Sequence, residues 1–183
     1  MKNAVYLILS ILLFTACVEA ETGVQYKSLR IKKQYRIKIP TYMKRTKELN
    51  DEASLQYMNG RREAYVVVLD EDKQEFINAA RDIDEYNDSL SNAENYKKIQ
   101  MEYYKLILSD FKMYDEKTTD FRGNPSFYTK VDGEMYGMSV TYFFRFVEGK
   151  EHMYTLLCWT EQRRKPMFRY TFSEILGSFS EVR

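Results

Sequence analysis

The chain opens on a continuous apolar run and then changes character. Ala4 to Ala16 (AVYLILSILLFTA) carries only Ser10, Thr15 and the Tyr6 hydroxyl as polar groups. Beyond residue 23 the pattern breaks into short periodic segments. Tyr26 to Ile39 alternates imperfectly between apolar and basic residues and stops at Pro40, which predicts an opening strand. Ala53 to Met58 and Glu63 to Leu69 flank Asn59-Gly60, the pair that most readily takes positive φ in a tight hairpin. The run Tyr65-Val66-Val67-Val68-Leu69 is apolar on both faces and predicts a central strand covered from both sides.

A helical period follows. Asp70-Glu71-Asp72 supplies the acidic start favoured at a helix amino end. Phe76, Ile77, Ala80 and Ile83, extending to Tyr86, sit at helical spacing behind it. Asn87 to Asn92 (NDSLSN) then breaks the pattern with turn formers. A second helix is predicted from Ala93 to Phe111, with Tyr96, Ile99, Tyr103, Leu106 and Ile107 along one stripe. That stripe reads as core before it reads as a ligand site. The last third returns to strands, with Ser126 to Val131 and Glu134 to Val147 flanking Asp132-Gly133 as a hairpin. A further hairpin turns at Glu148-Gly149-Lys150 and runs back from Met153 to Thr160. Pro166 suits the first turn of a closing helix that faces Phe168, Phe172, Ile175 and Leu176 inwards and ends at Gly177. The fold class is therefore α+β, an antiparallel β-sheet flanked by helices.

The amino-terminal run is too short for a spanning helix, which needs about 20 apolar residues. Lys2 precedes it and Glu19, Glu21 and Thr22 follow at once, so a cleaved export signal is the expectation. Two cleavage sites compete. Leu13-Phe14-Thr15-Ala16-Cys17 resembles the lipobox of bacterial lipoproteins, cut before a cysteine that carries diacylglycerol, although Phe14 departs from the usual aliphatic residue. Ordinary cleavage after Val18-Glu19-Ala20 is the rival, and there Cys17 is merely discarded. The expected layout is a signal peptide over 1–16 (alternatively 1–20), a short tether over 17–23 and one domain over 24–183. Cys17 is the candidate lipidation site, and two or three acyl chains there would hold the domain at a membrane.

The remaining composition removes several chemistries. Past Cys17 there is a single cysteine, Cys158, so no disulfide framework can form in the mature chain. Its apolar neighbours Leu156, Leu157 and Trp159 mark it as a buried small hydrophobe. The one histidine, His152, reads as a surface residue beside the Gly149 turn. A Ser/His/Asp hydrolase would have to use that surface histidine as its base, and one histidine with one apolar cysteine cannot begin a zinc site. Asp82, Asp84 and Asp88 suggest a calcium loop only faintly, since the turn glycine is missing and Ala93 stands where a bidentate Glu belongs. Glu71 and Glu75, at helical spacing, read as solvated carboxylates before a glycosidase pair. Asn87-Asp88-Ser89-Leu90 contains a glycosylation-like sequon, and a hydrophilic loop explains it as well. No catalytic residue, cofactor or metal site is expected.

Net charge is +1, yet charge is unevenly spread. Val24 to Lys47 holds nine basic residues and no acid, whereas Glu48 to Glu94 holds thirteen acids against four bases. Arg36 and Lys38 read first as the wet face of a strand whose dry face is Tyr35, Ile37 and Ile39. Attraction to anionic lipid or to an acidic partner is the alternative. No nucleic-acid recognition motif is present.

The element order resembles the PsbP-like superfamily, which includes the extrinsic PsbP subunit of photosystem II, a Ran-binding nuclear import factor and the DcrB lipoproteins. The resemblance lies in the opening strand ending at Ile39-Pro40, the paired hairpins, the central helix and the closing Phe172-Ser173-Glu174-Ile175-Leu176-Gly177-Ser178-Phe179 segment. Glu48-Leu49-Asn50-Asp51, Ala53-Ser54-Leu55-Gln56-Tyr57 and Glu63-Ala64-Tyr65-Val66-Val67 are also similar to small exported proteins of Bacteroidetes-type bacteria. The resemblance implies an α/β/α sandwich serving as a docking or accessory module, and it brings no catalytic residues.

Three functions follow in order of expectation. The first is a non-enzymatic, lipid-anchored envelope protein with a protein partner, at the outer membrane. The second is a secreted or periplasmic binder of a small apolar or aromatic ligand, and an enzyme comes third.

Overall fold

The structure is a computed structural model that describes residues 23–32 and 34–182. The expected signal, most of the tether and Cys17 lie outside the described residues. The centre is a seven-stranded antiparallel sheet built from β3 (Lys44–Arg45), β4 (Leu55–Asn59), β5 (Ala64–Asp72), β6 (Ser109–Phe121), β7 (Asn124–Met135), β8 (Met138–Glu148) and β9 (His152–Glu161), in the order β3-β4-β5-β9-β8-β7-β6. A second sheet joins β1 (Tyr26–Ile31), β2 (Tyr35–Pro40) and the two-residue β10 (Ser180–Glu181) in the order β1-β2-β10. Three helices, α1 (Lys73–Asp82), α2 (Asn92–Ile107) and α3 (Lys165–Ser178), complete the fold.

The large sheet is apolar on both faces, so each face needs cover. On one side the inward residues of β2, Tyr35, Ile37 and Ile39, pack with Phe168, Phe172 and Ile175 of α3 against Val66, Val68 and Phe143. On the other, Phe76 of α1 with Tyr96, Met101 and Tyr104 of α2 covers Val67, Phe144 and Phe146. Residues 143 and 144 therefore point to opposite cores, as the period of a strand requires. The expected α+β class holds, with helices on both faces of the sheet. Arg36 and Lys38 are exposed between buried neighbours, as the strand pattern predicted.

Several expectations need correction. The opening strand is two strands, because the chain reverses at Lys32, whose φ is 45°, and pairs Ile31 with Tyr35. The β4–β5 hairpin forms, but its turn runs from Gly60 to Glu63, with Glu63 at φ 52°. Asp70 and Glu71 belong to β5, and only Asp72 serves the helix, accepting from the Gln74 and Glu75 amides at 2.8 and 2.9 Å. Ile83 caps α1 and is 66% exposed, and Tyr86 lies beyond the helix.

The second helix begins at the Ser91–Glu94 capping box and stops at Ile107, four residues earlier than expected. Its buried line runs through Tyr96, Met101, Tyr104 and Leu108, so Tyr103, Leu106 and Ile107 face outwards. The last turn has to lift off the sheet to lead into β6. Asp132-Gly133 is no turn at all. β7 runs through it to Met135, and Tyr136 and Gly137 make the turn at φ 51° and 76°. Gly133 instead gives way to Leu108, the residue that caps α2: a Cβ there would lie 3.1 Å from the Leu108 Cβ. Gly177 sits inside the last turn of α3, which continues to Ser178.

Candidate functional site

A cleft of about 650 Å³ opens where the β1–β2 turn, the β8–β9 turn, the start of α1 and β10 meet. Gln34, from the first of these turns, is held by its own backbone. Its amide donates to the Ile31 carbonyl at 2.8 Å, and its carbonyl accepts from the Val182 amide at 2.6 Å. Its side-chain amide meets Nε2 of His152, the first residue of β9, at 3.0 Å. Nδ1 of His152 and Oε1 of Gln34 are buried and have no protein partner. Buried polar atoms are nearly always paired, so two orphans on one touching pair, at the wall of a cleft, mark a place for an incoming hydrogen-bonding group. Either orientation of the Gln34 amide leaves one donor and one acceptor on offer, because the imidazole tautomer follows it.

The rest of the cleft is tightly tied. The Gly149 amide donates to the His152 carbonyl at 2.8 Å. The Glu181 carboxylate accepts the Lys150 amide at 3.0 and 3.1 Å and the Tyr154 hydroxyl at 3.4 Å. Lys73 donates to Glu148 at 3.2 Å and to the Gly149 carbonyl at 2.7 Å, and Asn92 donates to the same Glu148 oxygen at 3.0 Å. Gly149 is required here, since a Cβ would lie 2.7 Å from the Tyr154 ring and 2.9 Å from the His152 carbonyl and would strike the Glu181 carboxylate. Burial, then the neighbouring Glu181 and Asp70, push the Tyr154 phenol far above its ordinary range. It acts as a neutral donor, not a nucleophile.

His152 is therefore half-buried at the cleft and not the surface residue that the sequence suggested. Cys158 behaves as expected. It is fully buried among Val66 and Leu156 in the core, and desolvation pushes its thiol well up. Glu71 lies on β5, not at helical spacing from Glu75, and accepts from Tyr96 at 2.9 Å and Gln100 at 3.3 Å. Burial first, then Glu52 and Asp70, raise its carboxyl against the pull of the Tyr96 hydrogen bond.

Asp88 pairs with Arg81 at 2.7 Å, and Asn87 to Ser89 form an exposed loop before α2. Among the described residues no group of three His, Cys, Asp or Glu could hold a metal ion. Among the same residues no helix is long and apolar enough to cross a membrane. The cleft partners of His152 were invisible in the sequence, because Gln34 stands 118 residues away and Glu181 sits in a two-residue strand.

No protein-family model matches the sequence, and no curated protein does. The fold itself is PsbP-like. The solution structure of cyanobacterial PsbP (CyanoP) from Synechocystis sp. PCC 6803 superposes with a TM-score of 0.58 at 12% identity, covering 89% of this chain and 98% of that one. A crystal structure from Pseudomonas aeruginosa, of the protein of unknown function PA94, a putative regulator, gives a TM-score of 0.52 at 14% identity over 84% of this chain and 95% of that one. At these identities the likeness establishes the fold alone.

Proposed function

We propose that this chain is a non-enzymatic accessory module of the cell envelope, held to a membrane by lipid on Cys17. It binds a partner through the cleft around Gln34 and His152. One observation carries the reading: the touching pair Gln34 and His152 holds two buried hydrogen-bonding atoms without protein partners, in a cleft whose shape is held by Lys73, Glu148, Tyr154 and Glu181. A reaction would need a base next to a nucleophile or a polarised substrate site. Here the ring beside the histidine, Tyr154 at 6.0 Å between centroids, carries a strongly un-ionised phenol, and the one thiol past Cys17 is sealed in the core.

The reading is tested by capture from native membranes with the full chain and with Gln34→Ala and His152→Ala. The expected result is one partner lost from both variants and kept by Lys97→Ala, which lies elsewhere. An unchanged captured set refutes the cleft. Metabolic acyl labelling that persists in Cys17→Ala refutes the anchor.

The second reading, a small-ligand binder, has the size of the cleft in its favour, since such sites run from about 300 to 1,000 Å³. Its lining sets Lys73, Glu148, Glu151 and Glu181 beside Pro125, Tyr154 and Val182, which fits a ligand with both a polar and an apolar part. Thermal stabilisation by a small compound of that kind, abolished in His152→Ala, would select it over a protein partner.

A further inference from the structure

The strands of both sheets run between two poles, and the cleft occupies one of them. β8 spans eleven residues from Met138 to Glu148, so the opposite pole lies about 30 Å away. There the β7–β8 turn exposes Tyr136 (93%) and Met138 (53%), and the lifted end of α2 exposes Leu106 (85%) and Tyr103 (56%). The two groups are neighbours, because Ser109, just past α2, pairs with Glu134 near the end of β7. Among the described residues the other large exposed apolar side chains are Ile107, at the same end of α2, and Ile83 and Tyr170, at the end of α1 and on α3. A cluster of this kind on one end marks a contact surface.

The amino-terminal segment leaves from the same pole. β1 runs towards the cleft, so its first residue, Tyr26, lies at the far end, paired with Pro40. Two residues on, the Tyr42 carbonyl accepts from Asn59 at 3.1 Å, which places this end beside the β4–β5 turn. That turn carries exposed Arg61 and Arg62, and the adjoining β3 is exposed Lys44–Arg45. Eight residues lie between Cys17 and Tyr26, a reach of at most about 30 Å.

We infer that this pole is a membrane-seating surface. Tyr136, Leu106, Tyr103 and Met138 enter the headgroup boundary of the bilayer that holds the amino terminus, and Lys44, Arg45, Arg61 and Arg62 meet anionic headgroups at its rim. Amphipathic tyrosines suit that depth, where one end of the ring is apolar and the other wet. The cleft then faces away from the lipid, open to a partner. The seating rests on the proposed membrane location but not on the cleft or on acylation itself, since the surface belongs to the folded domain.

The test uses the full chain, expressed with its own amino-terminal segment, recovered from membranes and reconstituted into phosphatidylcholine vesicles with and without phosphatidylglycerol. Tyr136→Cys and Lys150→Cys each receive an environment-sensitive fluorophore, and buried Cys158 stays unlabelled. Brominated acyl chains are expected to quench the Tyr136→Cys label and not the Lys150→Cys label, more strongly with phosphatidylglycerol. Leu106→Gln combined with Tyr136→Ser, both exposed changes, should weaken vesicle binding of the Cys17→Ala chain by about tenfold or more. Equal quenching at the two poles, or unchanged binding of the double variant, overturns the seating. Protection of the Tyr136→Cys label only in vesicles that contain membrane protein also overturns it, in favour of a protein partner. Loss of acyl labelling with quenching intact removes the lipid anchor and leaves the seating standing.

Discussion

Gly149→Ala is the sharpest perturbation of the cleft. The added methyl would lie 2.7 Å from the Tyr154 ring and 2.9 Å from the His152 carbonyl, with the Glu181 carboxylate closer still. Tyr154 is fully buried and ringed by Tyr35 and Phe179 at 5.7 and 5.0 Å, so it cannot retreat. The His152 carbonyl is backbone and belongs to β9. The free partner is Glu181, which would have to release the Lys150 amide. Overpacking costs about 1–3 kcal/mol, and one lost charge-assisted hydrogen bond adds about 1.5 kcal/mol. The sum is about 2.5–4.5 kcal/mol. For a domain of this size that lowers Tm by roughly 5–18 °C. Thermal unfolding by circular dichroism reads it, and hydrogen exchange should show the Lys150 amide newly unprotected. Gly177→Ala is the control. No atom lies within 4 Å of its Cβ, and replacing a helical glycine should raise stability by about 0.5–1 kcal/mol. Equal melting of Gly149→Ala and the parent would refute the claim that this turn is locked.

Other outcomes follow from the cores and the buried polar groups. The Glu71 carboxyl is raised above its ordinary 4.5, so the native state holds the proton more tightly than the unfolded chain; its contribution to stability is full below 4.5 and is lost as pH rises through the folded value. Glu71→Gln keeps an acceptor for Tyr96 and should be more stable than the parent at pH 7, with the advantage vanishing towards pH 4; urea midpoints at the two pH values check it, and a parent that gains on the variant as pH rises sinks it. Asn95, fully buried in α2, ties the loop ahead of that helix by donating to the Asn87 and Ser91 carbonyls at 3.0 and 3.1 Å and accepting from the Asn87 amide at 2.8 Å. Asn95→Ala should cost about 2–4 kcal/mol in denaturant unfolding and expose residues 84–91 to protease. Phe143→Ala empties the contact with Phe172, whose ring lies 5.3 Å away, and should cost about 3–5 kcal/mol; a change under 1 kcal/mol would mean that α3 does not pack there.

Local signals located hairpins well and their turns poorly. The Glu148-Gly149-Lys150 turn was legible because β8 and β9 are both strongly apolar and leave those residues as the only break. Asp132-Gly133 misled, because its composition suits a turn while its residues have other work. Asp132 accepts from Tyr114 at 2.8 Å and Thr141 at 2.6 Å and faces Lys165 at 3.2 Å. Gly133 admits Leu108. The same two residues would have looked ordinary in a strand only if the helix above had been known. β6 was missed for a plainer reason. Its sequence, SDFKMYDEKTTDF, is polar and largely exposed at the sheet edge, and two register shifts, with Asp110 and Asp115 at φ 50° and 56°, destroy its period. Such bulges guard an open edge against pairing with another chain.

The helix phase and the cleft share one cause of illegibility. A stripe through Tyr103, Leu106 and Ile107 is the natural reading of α2 in isolation, because isolated periodicity assumes that every apolar residue is buried. The chain instead must cross from one face of the sheet to its edge between Ile107 and Ser109, and the crossing leaves that stripe in solvent. In the same way, His152 looked idle because nothing within its own segment could pair with it. Antiparallel pairing places the β1–β2 and β8–β9 turns at one pole and the β4–β5 and β7–β8 turns at the other, and only this order brings Gln34 to His152 and Tyr136 to the end of α2. Exposed apolar residues where periodicity expects core, and a half-buried histidine where composition expects surface, are two departures from local consistency that the fold does not repair. Sequences keep such departures where a site needs them, and here they fall at opposite ends of the same strands.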